Sequence, residues 1–423
     1  MTMAAETVTL GSVIAQTGGA LQTGPFGSQL HASDYQLTGT PLVMPVNLGD
    51  NNILERGIAR IGTNDTRRLR RHALHDGDII FSRRGDVGRR SLVRKEQSGW
   101  ICGTGCLLAR FGKSLAEVNP AYVAEYIGSN AAQSWLFDNA VGGTMPNLNT
   151  GILAALPVVL PSKRMQDRTV AALNDVRQMI STLERLIAKK QAIKTGMMQQ
   201  LLTGRTRLPG FTDPWHEVKL GDYVSFVKTV ALSRAQLDAS SPVRYLHYGD
   251  IHTSDSTTLD AAQTPMPRAN SALLSNAGYL RVGDLVFADA SEDPAGVGKS
   301  VEVVSVPEEG VVPGLHTIAA RFDKTVLADG FKAYLQFVPM FREALLRLAA
   351  GTKVLATTKA YISSISLSLP GIREQQAISE TLRDVDAEIR LLHLRLEKAR
   401  DMKQGMMQQL LTGRTRLPAE ATS

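Results

Sequence analysis

Residues 194–209 read KTGMMQQLLTGRTRLP and residues 403–418 read KQGMMQQLLTGRTRLP, sixteen positions that differ only at Thr195 against Gln404. A phrase written twice at a 209-residue offset marks an internal duplication, and such a period fixes an architecture before any single motif does. Followed upstream, the correspondence continues in patches. Leu160-Pro161 answers Leu369-Pro370, Leu173 answers Leu382, and Asp175-Val176 answers Asp384-Val385. Further back DGDIIF (76–81) matches VGDLVF (282–287), DVGRRSLV (86–93) matches GVGKSVEV (296–303), and LLARFGK (107–113) matches IAARFDK (318–324). Gly143-Thr144 corresponds to Gly351-Thr352, and the halves open alike with VTLG at 8–11 and VKLG at 218–221. The chain is a tandem duplication of uneven similarity.

Its most similar portion has helical spacing. Leu173, Val176, Ile180, Leu183 and Ile187 step by three and four, and Leu382, Val385, Ile389, Leu392 and Leu396 do so in matching register. That is the a/d seam of a coiled coil rather than a broad core-facing stripe. Pro161 and Pro370 stand just ahead of these helices, and Gly204 and Gly413 stand where each would stop. A helix over about 165–203 makes a rod of ~58 Å at the α-helical rise. Two seams in one chain pack most simply on each other. The segments between them carry short β-rich runs, HDGDIIFS, GWICGTGCLLARF, VGDLVFADA and KSVEVVSV, separated by turn residues. Short helices are expected at 120–138 and 331–350. The expected class is α+β, with globular domains at 1–160 and 210–369, each followed by a long helical segment, 161–209 and 370–423.

Composition bounds the function. A chain of 423 residues exceeds one typical core, and its 43% apolar content is that of an ordinary globular protein. No apolar run approaches the ~20 residues of a membrane helix; GILAALPVVLP (151–161) is too short and contains Pro157. The first residues lack the pattern of a secretory signal, so a cytoplasmic location is expected. Cys102 and Cys106 are the only cysteines, too few for a zinc site, and read as small buried residues. The 47 basic against 40 acidic residues leave a net charge of +7. Arginine is concentrated in TRRLRRHAL (66–74) and SRRGDVGRRSLVRK (82–95), which suits a polyanionic partner.

Catalytic signatures are missing. PAGVGKS (294–300) imitates a phosphate-binding loop, but the glycine that the motif requires is Asp293, and the first copy has RGDVGRR there. No H-E-x-x-H, G-x-S-x-G or amino-methyltransferase tetrapeptide occurs. We expect no catalytic residue, no metal and no cofactor in this chain.

At this point the residues resemble one family, the specificity subunits of type I restriction–modification systems. The resemblance rests on QQLLTGRTRLP twice (199–209 and 408–418), on LPGIREQQAI (369–378), on DGDIIF and VGDLVF, and on GPFGSQL (24–30) and YGDIH (248–252), in that family's order over almost the whole chain. It implies two target recognition domains, each reading half of a bipartite DNA site, held apart by an antiparallel coiled coil in a pseudo-twofold arrangement. It implies docking of two modification subunits that bring S-adenosylmethionine and methylate adenine at N6, and through them restriction subunits using ATP and magnesium. The expected DNA-binding residues are Arg83, Arg84, Arg89, Arg90, Thr144 and Asn147 in the first domain. In the second they are Ser291, Glu292, Lys299, Lys353, Thr357, Thr358 and Lys359. The repeated phrase is expected to dock the partners through Met197, Leu201, Leu202 and Arg205 and through Met406, Leu410, Leu411 and Arg414. The alternative is a non-catalytic coiled-coil scaffold that binds DNA without sequence preference; a nucleotide hydrolase built on Lys299 stands further off.

Overall fold

The computed structural model describes residues 6–348 and 355–411. The chain divides into two compact units, one comprising everything up to Glu184 together with the stretch from Leu394 onward, the other Arg185–His393. Both divisions fall inside long helices, Lys163–Leu201 and Ile372–Leu411. Helix and strand are mixed throughout, as the α+β reading requires.

In the first unit IIFS (Ile79–Ser82) is buried at every position and forms an inner strand of a four-stranded antiparallel sheet. Its neighbours are Cys106–Arg110 and Arg90–Leu92, with Ala20–Thr23 at the far edge. A strand covered on both faces needs a continuous apolar run rather than alternation, which is what DGDIIF supplies. A second four-stranded sheet contains Ile101–Cys102. Cys102 and Cys106 are buried as free thiols, and Cys106 donates to the Val43 carbonyl at 3.5 Å. In the second unit LVFA (Leu285–Ala288) holds the centre of a five-stranded sheet, between Thr317–Phe322 and Ser300–Ser305.

The matched motifs pair with each other. Gly77 and Gly283 turn at φ 86° and 92°, a conformation glycine adopts without a Cβ penalty. The turn places Asp78 and Asp284 inside, each 2% exposed or less. Asp78 is bridged by Arg110 and Asp284 by Arg321, both at 2.7 Å. DGD and VGD therefore recur because LLAR and IAAR recur: one supplies the buried carboxylate, the other its guanidinium.

Each domain is clasped where the chain enters and leaves. Glu6–Thr9 pairs antiparallel with Pro157–Leu160, and His216–Lys219 pairs identically with Ser366–Leu369. Both exits run straight into a long helix, and a buried glutamine locks each start. Gln166 donates to the carbonyls of Pro161 and Glu117 and accepts from the Asn119 amide. Gln375 does the same with Pro370, Val326 and Ala328.

The first long helix is 39 residues, beginning at Lys163 rather than 165 and ending at Leu201, three residues before the left-handed Gly204 (φ 68°). Of the seam residues, Leu173, Val176, Leu183, Ile187, Leu382 and Leu396 are buried, and Ile180, Val385, Ile389 and Leu392 are half-buried. In the second unit Lys190 pairs with Glu388, and Lys194 with Asp386 at 2.6 Å. In the first unit Arg400 meets Glu184 at 2.7 Å and Lys403 meets Asp50.

Short helices occupy both of the expected segments. The segment 120–138 is two helices, Pro120–Ile127 and Asn130–Asn139, because Ser129 caps the second and breaks the run. The segment 331–350 is a 3₁₀ turn, Lys332–Phe337, followed by Pro339–Leu348, since the residue before a proline is driven out of the helical region. Among the described residues no helix is long and apolar enough to cross a membrane.

Candidate nucleic-acid interface

In the first unit the turn RRGDVGR joins Ile79–Ser82 to Arg90–Leu92, with the Ser82 amide donating to the Arg89 carbonyl. Val87 inserts into the core and pins the turn's middle, which leaves Arg84 and Arg89 exposed. Arg89 is paired with Asp86 at 2.9 Å. A second loop, Val141–Asn147, is closed by reciprocal backbone hydrogen bonds between its end residues and presents Thr144 and Met145 at its tip. The two loops are sewn together: Leu148 N–H donates to Arg83 O at 2.8 Å and Gly85 N–H to Pro146 O at 3.1 Å. Arg83, Arg84, Thr144 and Asn147 thus come together on one surface. At this junction Arg83 Nε and Asn147 Oδ1 are buried and lack a hydrogen-bond partner among the described residues.

Arg90 does not join them. It is 5% exposed, donates to the Ala124 carbonyl at 2.9 Å and faces Asp50 at 3.3 Å. Arg89 belongs to the turn, whereas Arg90 opens the strand Arg90–Leu92, which is buried at every position, so it serves the fold and not a ligand.

The second unit repeats this scaffold with different side chains. Ala290 pairs with Ala356 where Arg84 bridges Asn147, and Thr357 N–H donates to Asp289 O at 2.6 Å where Leu148 donates to Arg83. Thr358 caps the helix Lys359–Ser364 as Asn149 caps Thr150–Ala155. Glu292, Thr358 and Lys359 are exposed, the Lys359 ammonium lying 5.6 Å from the Phe226 ring centre. Ser291 and Thr357 are buried, and the Ser291 hydroxyl donates to the Asp293 carbonyl at 2.7 Å. Lys299 donates to the His252 carbonyl at 2.6 Å, an internal tie rather than a phosphate contact. A Cβ on Gly298 would meet Leu345 at 2.5 Å, so PAGVGKS is a turn packed against its own domain. Lys353 lies outside the described residues.

The repeated phrase also behaves differently from expectation. Leu201 and Leu202 are buried in the second unit's core with Met197 packed against it, and Leu411 and Met406 occupy the equivalent place in the first, with Leu410 buried too. These leucines fill their own domains and are unavailable to a partner. The heptad register carried the signal: stepping onward from Ile187 by three and four reaches Lys190, Lys194, Met197 and Leu201. Among the residues that the phrase leaves exposed are Gln199, Gln200 and Arg205, and in the second copy Gln408 and Gln409. Arg414 lies outside the described residues. Residue patterns alone missed Tyr248, His252 and His316, which line an open cavity of about 550 Å³ with Ser291, Glu292 and Asp293. Scattered histidines carry no spacing signal until the fold gathers them.

No protein-family model matches the chain. Among curated proteins it is 22% identical over 296 residues to the type I restriction enzyme MjaVIII specificity subunit of Methanocaldococcus jannaschii, covering 67% of this chain and 68% of that one. It is 22% identical over 371 residues to the putative type I restriction enzyme MjaX specificity subunit of the same organism, covering 82% and 81%. Among solved structures, the HsdS subunit from Thermoanaerobacter tengcongensis superposes with a TM-score of 0.52 at 17% identity over 97% of both chains. A chain from a study of assembly and conformational transition of the type I R-M system gives 0.59 at 17% identity, covering 97% and 98%. The S subunit of a type I system from M. genitalium gives 0.57 at 12% identity, covering 97% and 96%. In sequence the chain is thus similar to specificity subunits of type I restriction enzymes, and its fold is that of the HsdS subunits, as the twice-written QQLLTGRTRLP and the DGDIIF and VGDLVF motifs led us to expect.

Proposed function

We propose that this chain is the DNA-specificity subunit of a type I restriction–modification complex, without catalytic residues of its own. The observation that carries the reading is the duplicated scaffold with unlike reading loops: the same clasp, the same locking glutamine and the same sewn loops recur, yet Arg83-Arg84 in one copy stands where Asp289-Ala290 stands in the other. Two domains that read different half-sites need the same frame and different loops. Residues 1–160 and 210–369 are the recognition domains, and 161–209 and 370–423 carry the long helices. The heptad seam and the pairs Lys190–Glu388 and Lys194–Asp386, whose numbers run in opposite senses, support an antiparallel coiled coil as the spacer. A rod of ~58 Å suffices for half-sites one turn apart, ~34 Å.

Phosphate contacts fall to Arg84 and Arg89 in the first domain and Lys359 in the second; Arg83, Thr144 and Asn147 lie beside the first group. Gln199, Gln200 and Arg205, with Gln408 and Gln409, offer equivalent surfaces to two copies of a modification subunit. That partner would supply S-adenosylmethionine and the adenine-N6 methyl transfer, and restriction subunits would supply ATP-dependent cleavage. The similarity to specificity subunits in sequence and fold favours this reading over a scaffold binding DNA through phosphates alone. Genome-wide adenine methylation with and without this gene tests it. Loss of one bipartite motif is expected; an unchanged methylation pattern would refute it.

A further inference from the structure

The two reading loops share a backbone and invert their charge. In the first domain the sewn loop presents Arg83 and Arg84; at the matching place the second has Asp289, followed by Glu292 and Asp293. A carboxylate beside DNA is repelled by every phosphate. On a loop reading the major groove it has one useful kind of partner, the exocyclic amino group of cytosine N4 or adenine N6, which only donates.

The surroundings of Glu292 are built for this. It borders the open cavity with Tyr248, His252 and His316. His316 is held at φ 57°, a left-handed conformation uncommon for a residue with a Cβ, and such strain gathers at ligand sites. Its Nδ1 meets the Asp289 carboxylate at 3.1 Å, and His252 Nε2 meets the Ala290 carbonyl at 2.9 Å. Tyr248 stands edge-on to both rings, with centroids 5.9 and 5.4 Å away. Facing an oxygen acceptor, each of these ring nitrogens donates. The flat rings offer base-sized walls, the Tyr248 hydroxyl can donate or accept, and the exposed Glu292 carboxylate only accepts. Of the groups a base presents in the major groove, that carboxylate matches an amino group and repels the O6, N7 and O4 acceptors.

We infer that the Tyr248–His252–His316 cavity is the base-reading site of the second recognition domain, with Glu292 the specificity-determining acceptor for a cytosine or adenine amino group in the second half-site. This rests on the specificity-subunit reading above. The test uses the complete complex. The motif methylated by the wild-type complex is first read by sequencing, and absence of any bipartite motif would count against the proposed function itself. Duplexes are then made in which each cytosine or adenine of the second half-site is replaced singly by the analogue lacking its amino group. One such replacement is expected to weaken binding of the wild-type complex about tenfold and to have no further effect on the Glu292→Ala complex, which lacks the acceptor. Glu292→Ala should also relax methylation at that position and leave the first half-site unchanged. The inference is overturned if no amino-group deletion weakens wild-type binding, or if the sensitive deletion costs the Ala variant equally. Should the Ala complex fail to assemble, the analogue scan on the wild type still decides the amino-group claim, and Tyr248→Phe and His316→Asn serve as second variants at the cavity.

Discussion

The paired glutamines give a quantitative test of the duplication. Gln375 is 1% exposed and makes three hydrogen bonds at 2.8–2.9 Å, to the Pro370 and Val326 carbonyls and from the Ala328 amide. Gln166 is wholly buried and matches it at 2.7–2.9 Å with Pro161, Glu117 and Asn119. Truncation to alanine removes three bonds worth about 1 kcal/mol net each, and every backbone group left buried without a partner adds its own desolvation penalty. We expect each variant to lose about 3 kcal/mol, rising to about 6 or more if all the stranded groups stay dry. Glutamate at either position keeps the acceptor but loses both donors and puts a charge among carbonyls, so it should cost at least as much as alanine. Gln166 and Gln375 share no partner and lie in different compact units, so the double variant should be additive to within about 0.5 kcal/mol.

Denaturant titration measures the total, and amide hydrogen exchange localises it. The Ala328 amide should exchange about 100-fold faster in Gln375→Ala, and the Asn119 amide in Gln166→Ala, each without affecting the other. A loss below about 1 kcal/mol with both amides still protected would refute the reasoning. The loops would then be held by apolar packing alone, and the repeated glutamine would be incidental.

Three further outcomes follow from burial and charge. Arg90→Ala should destabilise the first unit by about 2 kcal/mol, because it removes a buried guanidinium that packs in the domain and donates to the Ala124 carbonyl, whereas Arg84→Ala should leave stability unchanged and lower the salt dependence of DNA binding by about one counterion. Leu202→Ala and Leu411→Ala should each cost about 2–5 kcal/mol in thermal or chemical denaturation, while Arg205→Glu should weaken capture of the modification subunit with no loss of stability. Burial pushes the Glu302 carboxyl above its ordinary 4.5, against the pull of the Gly330 and Ala333 amides and Lys332. The folded chain therefore holds that proton more tightly than the unfolded one, and the group favours folding below pH 4.5 and loses that contribution as pH rises through the raised value. Wild type should accordingly lose stability relative to Glu302→Gln as pH climbs from 4.5, and a flat difference across that window would contradict the shift.

Much of the fold was legible because duplication supplies its own control. Two copies of DGD-like and AR-like motifs, at nearly one offset, flag residues that serve the same purpose twice, and Asp78–Arg110 with Asp284–Arg321 is that purpose. The heptad seam was legible for the ordinary reason that a/d spacing survives in sequence. The candidate site was less so. Arg89 and Arg90 are neighbours in sequence and opposite in fate, since Arg89 ends an exposed turn while Arg90 opens a strand buried at every position and meets Asp50 from a loop 40 residues away. His252 and His316 are 64 positions apart, and no pattern links them before the sheet does.

The leucines of the repeated phrase change what near-identity means here. Had they faced partners, the phrase would be repeated only because two equal subunits bind. They fill the domain cores instead, together with Met197 and Met406, so each long helix ends by completing a hydrophobic cluster. The phrase therefore answers to an internal requirement first: two copies of one scaffold need the same plug at the same place. The docking proposed above would then fall to the polar remainder, Gln199-Gln200 and Gln408-Gln409, which is exposed on the same helical turns and is carried along in identical register. Exchanging the glutamines for lysines while keeping the leucines separates the two demands. Stability should hold within about 0.5 kcal/mol, as for ordinary surface changes, and only partner binding should fall. If stability fell and binding persisted, the assignment of faces would be reversed.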